Sequence, residues 1–157
     1  MPSEISFIPV TQAHRALLLR WLSAPHVREW WGEPEEELAL IYDGKGEHEP
    51  YLACVNGEPM GYIQAWWPSQ HPDLPWQHGM GRDTRGVDLF IGDAAHLNHG
   101  FGSAIIEAFS QKLFREGAAR LIIDPDRRNR RAVFAYQKAG FTAYDRTPTD
   151  LLMERHP

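Results

Sequence analysis

With 157 residues, 43% hydrophobic and 24% charged, the chain is long enough to bury a core and short enough to predict one domain over 1–157. A net charge of −5 argues against a nucleic-acid partner, which needs a basic face, and no apolar stretch is long enough to span a membrane. Cys54 is the only cysteine, which excludes an intrachain disulfide. Because Met1-Pro2-Ser3-Glu4-Ile5 lacks a basic-then-apolar leader, the expected compartment is the cytoplasm.

Ile5–Val10 reads as a first strand. Thr11 then stands as an N-cap before Leu17, Leu18, Trp21 and Leu22 at helical spacing, and Pro25 limits that helix. His26–Gly32, with Trp30 and Trp31, reads as a loop or short helical turn. Pro34 suits a first helical position, followed by Glu35, Glu36 and Glu37 where the helix dipole favours acids. Asp43–Glu49 is polar and reads as a loop. Tyr51–Val55 and Met60–Trp66 are strand-like, and Asn56-Gly57 between them is a hairpin turn. Pro68–Gly86 is a long connection rich in Pro, Gly and His, a length that usually marks function or mobility.

Val87–Ile91 is the next strand. Gly102–Glu116 carries Ile105, Ile106, Phe109, Leu113 and Phe114 on one helical face, and Gly117 stops it. Leu121–Ile123 is a short buried strand and Asn129–Ala139 a helix ended by Gly140. Phe141–Asp145 and Leu151–Arg155 close the chain as strands around Thr147-Pro148. The order β, α, α, β, β, β, α, β, α, β, β predicts an α/β (α+β) class: a mixed sheet with helices on both faces.

The most informative stretch is a pair of segments in the second half. His99-Gly100-Phe101-Gly102-Ser103 lies between a strand and a helix. Glycine there permits positive φ and close approach of the backbone, and the unpaired N–H groups of the helix start suit a pyrophosphate; a tight turn without a ligand fits the same residues. A dinucleotide fingerprint needs a third glycine where Ile105 stands, and neither a P-loop nor a serine-hydrolase elbow is present. The second segment is Asp124-Pro125-Asp126, then Asn129-x-x-Ala132, then Tyr136-x-Lys138-Ala139-Gly140-Phe141.

These residues, in this order, resemble the GCN5-related N-acetyltransferase (GNAT) superfamily, over nearly the whole chain. Within it, four segments are similar to aminoglycoside 6′-N-acetyltransferases. They are Trp21-Leu22 through His26-Val27-x-Glu29-Trp30-Trp31-Gly32; Pro50-Tyr51 through Asn56-Gly57-Glu58-Pro59-x-Gly61-Tyr62-x-Gln64; Arg85-Gly86-x-Asp88; and Asp124-Pro125 through Asn129-x-Arg131-Ala132 to Phe141. Siderophore-pathway acetyltransferases, which acylate a hydroxylated lysine side chain, resemble the same segments. Leu97 departs from the family, which often has Gln or Arg there.

The resemblance implies a GNAT fold with a mostly antiparallel central sheet, acetyl-CoA as co-substrate without a metal, and direct transfer to a small cationic amine. The preferred acceptor is an aminoglycoside 6′-amine. The alternatives are a hydroxylysine-type precursor or other small amine, and a non-catalytic acyl-CoA sensor. It implies cofactor contacts at Leu89, Phe90, Ile91, Asn98, His99, Gly100, Phe101, Gly102, Ser103, Asn129 and Ala132, with the pantetheine lying along Leu89–Ile91 like an added strand. Partners beyond the amine are not expected, with a monomer or homodimer as the assembly.

The chemistry requires a neutral amine, a donor to the thioester oxygen and a proton for the leaving thiolate. Asp88, in an otherwise apolar strand beside Gly86, fits the base; a loop-capping aspartate is the other reading. Tyr136 fits the acid, although a phenol near 10 donates uphill to a thiolate near 8.5; a packing tyrosine fits the same position. Asn129 fits an N-cap, a pantetheine partner or both. Glu29, Trp30, Trp31, Gln64, Asp88 and Asp124 are the substrate-side candidates. At least one of the two tryptophans is expected in the core; the other either walls a sugar ring and its ammonium groups or packs in the core as well. Trp66, Trp67 and Trp76 flank or lie in the long connection, and Asp83 is a lesser candidate. The histidines lack metal-ligand spacing, and Cys54 among apolar neighbours reads as inert. Arg127, Arg128, Arg130 and Arg131 form a basic cluster, either solvated or touching the adenosine 3′-phosphate of CoA.

Overall fold

The computed structural model describes residues 3–44 and 46–157. Met1 and Pro2 of the N-terminal segment, and Lys45 of the Asp43–Glu49 loop, lie outside these. Among the described residues are seven strands and five α-helices: β1 Ile5–Pro9, α1 Arg15–Ser23, α2 Pro25–Trp31, α3 Pro34–Tyr42, β2 His48–Val55, β3 Glu58–Trp66, β4 Thr84–Ile91, α4 Phe101–Arg115, β5 Arg120–Ile123, α5 Arg130–Lys138, β6 Thr142–Arg146 and β7 Leu151–Arg155. The strands form one sheet in the order β1-β2-β3-β4-β5-β7-β6. β1 is antiparallel to β2, β4 parallel to β5, and β5 and β6 both antiparallel to β7.

The predicted elements are present, with two corrections. The His26–Gly32 segment forms a helix in its own right, α2 Pro25–Trp31, because Pro25 ends α1 and also occupies the first position of α2, where its missing N–H costs nothing. The long connection is shorter than predicted: β4 begins at Thr84, and two 3₁₀ turns, Pro68–Gln70 and Pro75–Gln77, structure the rest. The Asn56-Gly57 turn is as expected, with φ of 50° and 84° giving both residues the left-handed backbone that a two-residue hairpin requires.

The chain divides into two compact units. The first holds the chain up to Gln64 with Leu89–Phe101. Its core joins Leu18, Trp21 and Leu22 of α1, Val27 of α2, Leu38 and Ile41 of α3, Leu52 and Cys54 of β2, Tyr62 and Phe90. Gly61 is required here: a Cβ would fall 2.3 Å from the Phe90 carbonyl oxygen, so only glycine lets the backbones approach. Cys54 is fully buried, and burial pushes its thiol up, which leaves it inert.

The second unit holds Ala65–Asp88 and Gly102–Pro157. Its buried residues include Ile105, Ile106, Phe109 and Leu113 of α4, Leu121–Ile123 of β5, Phe141 and Leu152-Met153 of β7. Arg155 of β7 ties two helices together: its guanidinium pairs with Glu107 of α4 and donates to the carbonyl of Ala139 at the end of α5. That arrangement fixes α5, and with it Tyr136.

Candidate active site

β4 pairs with β5 only over Thr84–Gly86, against Arg120–Ile122, and β4 runs five residues past that pairing. Asp88 lies just beyond the paired stretch, and Asp124 immediately follows the last residue of β5. Two carboxylates thus emerge where two parallel strands stop pairing. Ligands of open sheets sit outside the carboxyl ends of parallel strands.

The charges of these groups act on one another. The Asp124 carboxyl is pushed up to about 8, first by burial and then by the negative charges of Asp88 and Asp150. Tyr136 on α5 is buried, and its phenol is raised further above the ordinary value by burial, then by Asp88 and Asp124. Three carboxylates and a buried phenol therefore share one field in the second unit. Burial and the two acidic neighbours disfavour ionisation of Asp124 until a cation arrives. An ammonium group is the natural counter-ion, and Tyr136 stays a phenol able to donate.

Asp150 belongs to this group and was not singled out from the sequence. Asp126 and Asp150 form an isolated antiparallel bridge, and the Leu151 N–H donates to the Pro125 carbonyl at 2.9 Å, so the β6–β7 turn is drawn against the Asp124–Arg128 segment. Within the sequence Asp150 is an ordinary turn residue; only the pairing of distant segments gives it a role. Tyr144 was also missed. Its half-buried phenol is raised first by burial, then by Glu154, Asp145 and last Asp124, against an opposing effect of Arg120, and among the described residues its buried hydroxyl oxygen has no hydrogen-bond partner. The β6–β7 register shifts at Ala143/Asp145, on either side of it, an irregularity of the kind that re-aims a side chain.

The candidate cofactor residues fall into three groups. Gly100 has φ +80° and Asn98 φ +64°, so the turn before α4 takes the left-handed backbone predicted for it. A Cβ on Gly102 would be 3.8 Å from the Ala135 Cβ, so the start of α4 abuts α5. His99 and Phe101 are ring neighbours at 6.2 Å, and Ser103 lies in the first turn of α4. Asn129 caps α5, its side chain accepting from the Ala132 N–H at 3.4 Å, so these two candidates bind each other. Leu89–Ile91 form the end of β4, and Phe90 and Ile91 are buried.

The substrate-side candidates other than Asp88 and Asp124 lie in the first unit. Glu29, Trp30 and Trp31 are on α2. Trp31 packs edge-on to Phe90 at 5.0 Å and to Tyr62 at 6.0 Å. Gln64 accepts a 2.6 Å hydrogen bond from the Tyr62 hydroxyl. His26 has a structural role, since its Nε2–H donates to the Ile91 carbonyl at 2.8 Å and anchors α2 to the end of β4. In the second unit, Trp66 contacts Trp76 at 6.2 Å and His71 at 5.3 Å, while the Arg85 guanidinium lies 4.0 Å over the Trp67 ring. Among the described residues, no three His, Cys, Asp or Glu are grouped to hold a metal ion, and no helix is long and apolar enough to cross a membrane.

The acetyltransferase (GNAT) domain family matches residues 10–147. Aminoglycoside N(6′)-acetyltransferase type 1 of Klebsiella pneumoniae is 32% identical over 143 residues, covering 84% of this chain and 71% of the relative. A kanamycin resistance protein of Rhizobium radiobacter is 31% identical over 67 residues, covering 42% of this chain and 62% of that protein. Among solved structures, the aminoglycoside acetyltransferase AAC(6′)-Ib in complex with coenzyme A superposes with a TM-score of 0.88 at 27% identity, covering 98% of this chain and 95% of that one. The same enzyme with coenzyme A and kanamycin superposes equally well, at 26% identity.

Proposed function

The chain belongs to the GNAT acetyltransferase family, and from that premise we propose that it transfers the acetyl group of acetyl-CoA directly to the 6′-amine of an aminoglycoside. The observation that carries the reading is the cluster of Asp88, Asp124, Asp150 and Tyr136, in which the Asp124 carboxyl is raised to about 8 first by burial and then by Asp88 and Asp150. Such a cluster favours a ligand ammonium, and the aminoglycoside N(6′)-acetyltransferase named above acts on an amine. The family match runs across both compact units, so we read the chain as a single GNAT domain.

Asp88 takes the proton from the acceptor ammonium, directly or through water, leaving a neutral amine to attack the thioester carbon. Asp124 and Asp150 hold the remaining positive charge. Tyr136 remains protonated and donates a hydrogen bond to the sulfur as the thiolate leaves; full proton transfer is not required. The N–H groups at the start of α4 cradle the pyrophosphate of acetyl-CoA, with Asn98, His99, Gly100, Phe101, Gly102 and Ser103 shaping the turn. Leu89–Ile91, Asn129 and Ala132 run along the pantetheine arm. We assign Glu29, Trp30, Trp31 and Gln64 to acceptor binding. Leu97 leaves the pyrophosphate to the backbone.

An acceptor screen tests this reading. Thiol release from acetyl-CoA is expected with kanamycin or tobramycin. Turnover of a hydroxylysine-type precursor with none across an aminoglycoside panel would replace the acceptor. Coenzyme A binding without turnover of any amine would make the chain a sensor.

A further inference from the structure

We propose that the outward face of α5 is a platform for the adenosine end of the donor, with Phe134 stacking on the adenine base and the cations around it facing the phosphates. This rests on the acetyltransferase reading above and extends it to the part of coenzyme A that takes no part in the chemistry.

Phe134 is 67% exposed, against 64% for Leu40 and 42% for Ile8, the other large apolar residues left open among the described ones. α5 does not use this ring for its own packing, since its buried side is formed by Tyr136 and Ala139. Residues three and four positions away lie beside a side chain on a helix. Around Phe134 these are Arg130, Arg131, Gln137 and Lys138, all exposed, and α5 contains no acid. One open aromatic ring therefore lies among three cations and an amide. That charge repels a cationic acceptor and suits a planar base that carries phosphates.

The position of the ring points the same way. A Cβ on Gly102 would be 3.8 Å from the Ala135 Cβ, so the start of α4, whose N–H groups are assigned to the pyrophosphate, borders α5 at Ala135. At about 100° per residue, Ala132 and Tyr136 lie about 60° and 100° to one side of Ala135 around the helix. Arg131, Lys138 and Phe134 lie about 40°, 60° and 100° to the other side. In the reading above Tyr136 serves the sulfur and Ala132 the pantetheine arm. Sulfur, arm and pyrophosphate thus follow one another around α5, and the next positions in that direction are Arg131, Lys138 and Phe134. Adenosine follows the pyrophosphate in the covalent order of coenzyme A, so the donor delivers its base to this face. A contact so far from the thioester tightens the donor without touching the reacting atoms.

Calorimetric titration with coenzyme A, dephospho-coenzyme A and 4′-phosphopantetheine separates the base from the rest of the donor. Phe134→Ala is expected to bind coenzyme A and dephospho-coenzyme A each about tenfold more weakly than the wild type, the scale of one base–aromatic stack, and to bind 4′-phosphopantetheine as the wild type does. The ring is exposed and alanine is a strong helix former, so this variant keeps its fold. Phe134→Trp keeps an aromatic face and is expected to retain coenzyme A affinity. Four results overturn the proposal: unchanged coenzyme A affinity in Phe134→Ala, an equal loss for 4′-phosphopantetheine, a loss confined to coenzyme A and absent with dephospho-coenzyme A, or a loss in Phe134→Trp as large as in Phe134→Ala. Any of them beside normal acetyl transfer leaves the proposed reaction standing. A base-dependent loss in a protein that transfers no acetyl group upholds this inference while the reaction falls.

Discussion

The indole of Trp66 lies directly on the α-carbon of Gly86: a Cβ built at Gly86 would sit 2.1 Å from Cε2 of that ring. Gly86 is two residues before Asp88 on β4, so the last residue of β3 covers the strand that carries the proposed base. Any side chain at 86 must move either the indole or the strand.

Gly86→Ala is therefore expected to destabilise the protein by about 1–3 kcal/mol, the usual cost of overfilling a packed site, and to lower acetyl transfer through displacement of Asp88. Urea unfolding and a steady-state assay read the two effects. An unchanged unfolding midpoint would show that Trp66 yields freely.

Asp124→Asn should change how stability depends on pH. In the folded protein the Asp124 carboxyl is raised from 3.8 to about 8, so the folded state holds its proton more tightly than the unfolded chain. The stability that goes with the protonated form is complete below about pH 4 and is lost as pH rises through about 8. Wild type and Asp124→Asn are expected to melt alike near about pH 4, with the variant increasingly the more stable toward about pH 9. Parallel melting curves across that range would remove Asp124 from the account.

The same proton should be released on binding. At about pH 7 Asp124 is largely neutral, and an acceptor ammonium group favours its ionised form, so binding is expected to release about one proton. Calorimetry in buffers of different ionisation enthalpy measures this directly. Acceptor affinity is also expected to strengthen as pH rises toward about 8. Binding without proton release would place the ammonium elsewhere.

Tyr136→Phe removes one hydroxyl from a buried ring and leaves its volume. Loss of a hydrogen bond to a developing thiolate predicts a fall in kcat of about 10- to 100-fold, with coenzyme A affinity little changed. A wild-type kcat would make Tyr136 a packing residue of α5, the reading that its burial alone supports.

Much of this was legible in the sequence, for reasons that differ by residue. Asn56-Gly57, Pro34 with its three glutamates, and Asn129 act locally, through turn geometry, dipole and cap, so neighbours in sequence suffice to read them. The helical nature of α2 was available in Pro25, but the same residue also ends α1, and a proline that stops one helix while opening another is easily read only as a stop. That Trp31 packs depended on Tyr62 and Phe90, both distant in sequence. Asp150 and Tyr144 had no local signal: one gains its role from the Asp126–Asp150 bridge and the other from a register shift in β6. The arginine cluster was visible as charge, but the exposure of Phe134 beside it was not.

The most direct test of the central claim is acetyl transfer to kanamycin by Asp88→Ala, assayed as thiol release beside coenzyme A binding. The account predicts a fall in kcat of about 100-fold or more, the scale of a lost general base, with coenzyme A bound as in the wild type. A variant that binds coenzyme A and acetylates kanamycin at the wild-type rate would contradict it.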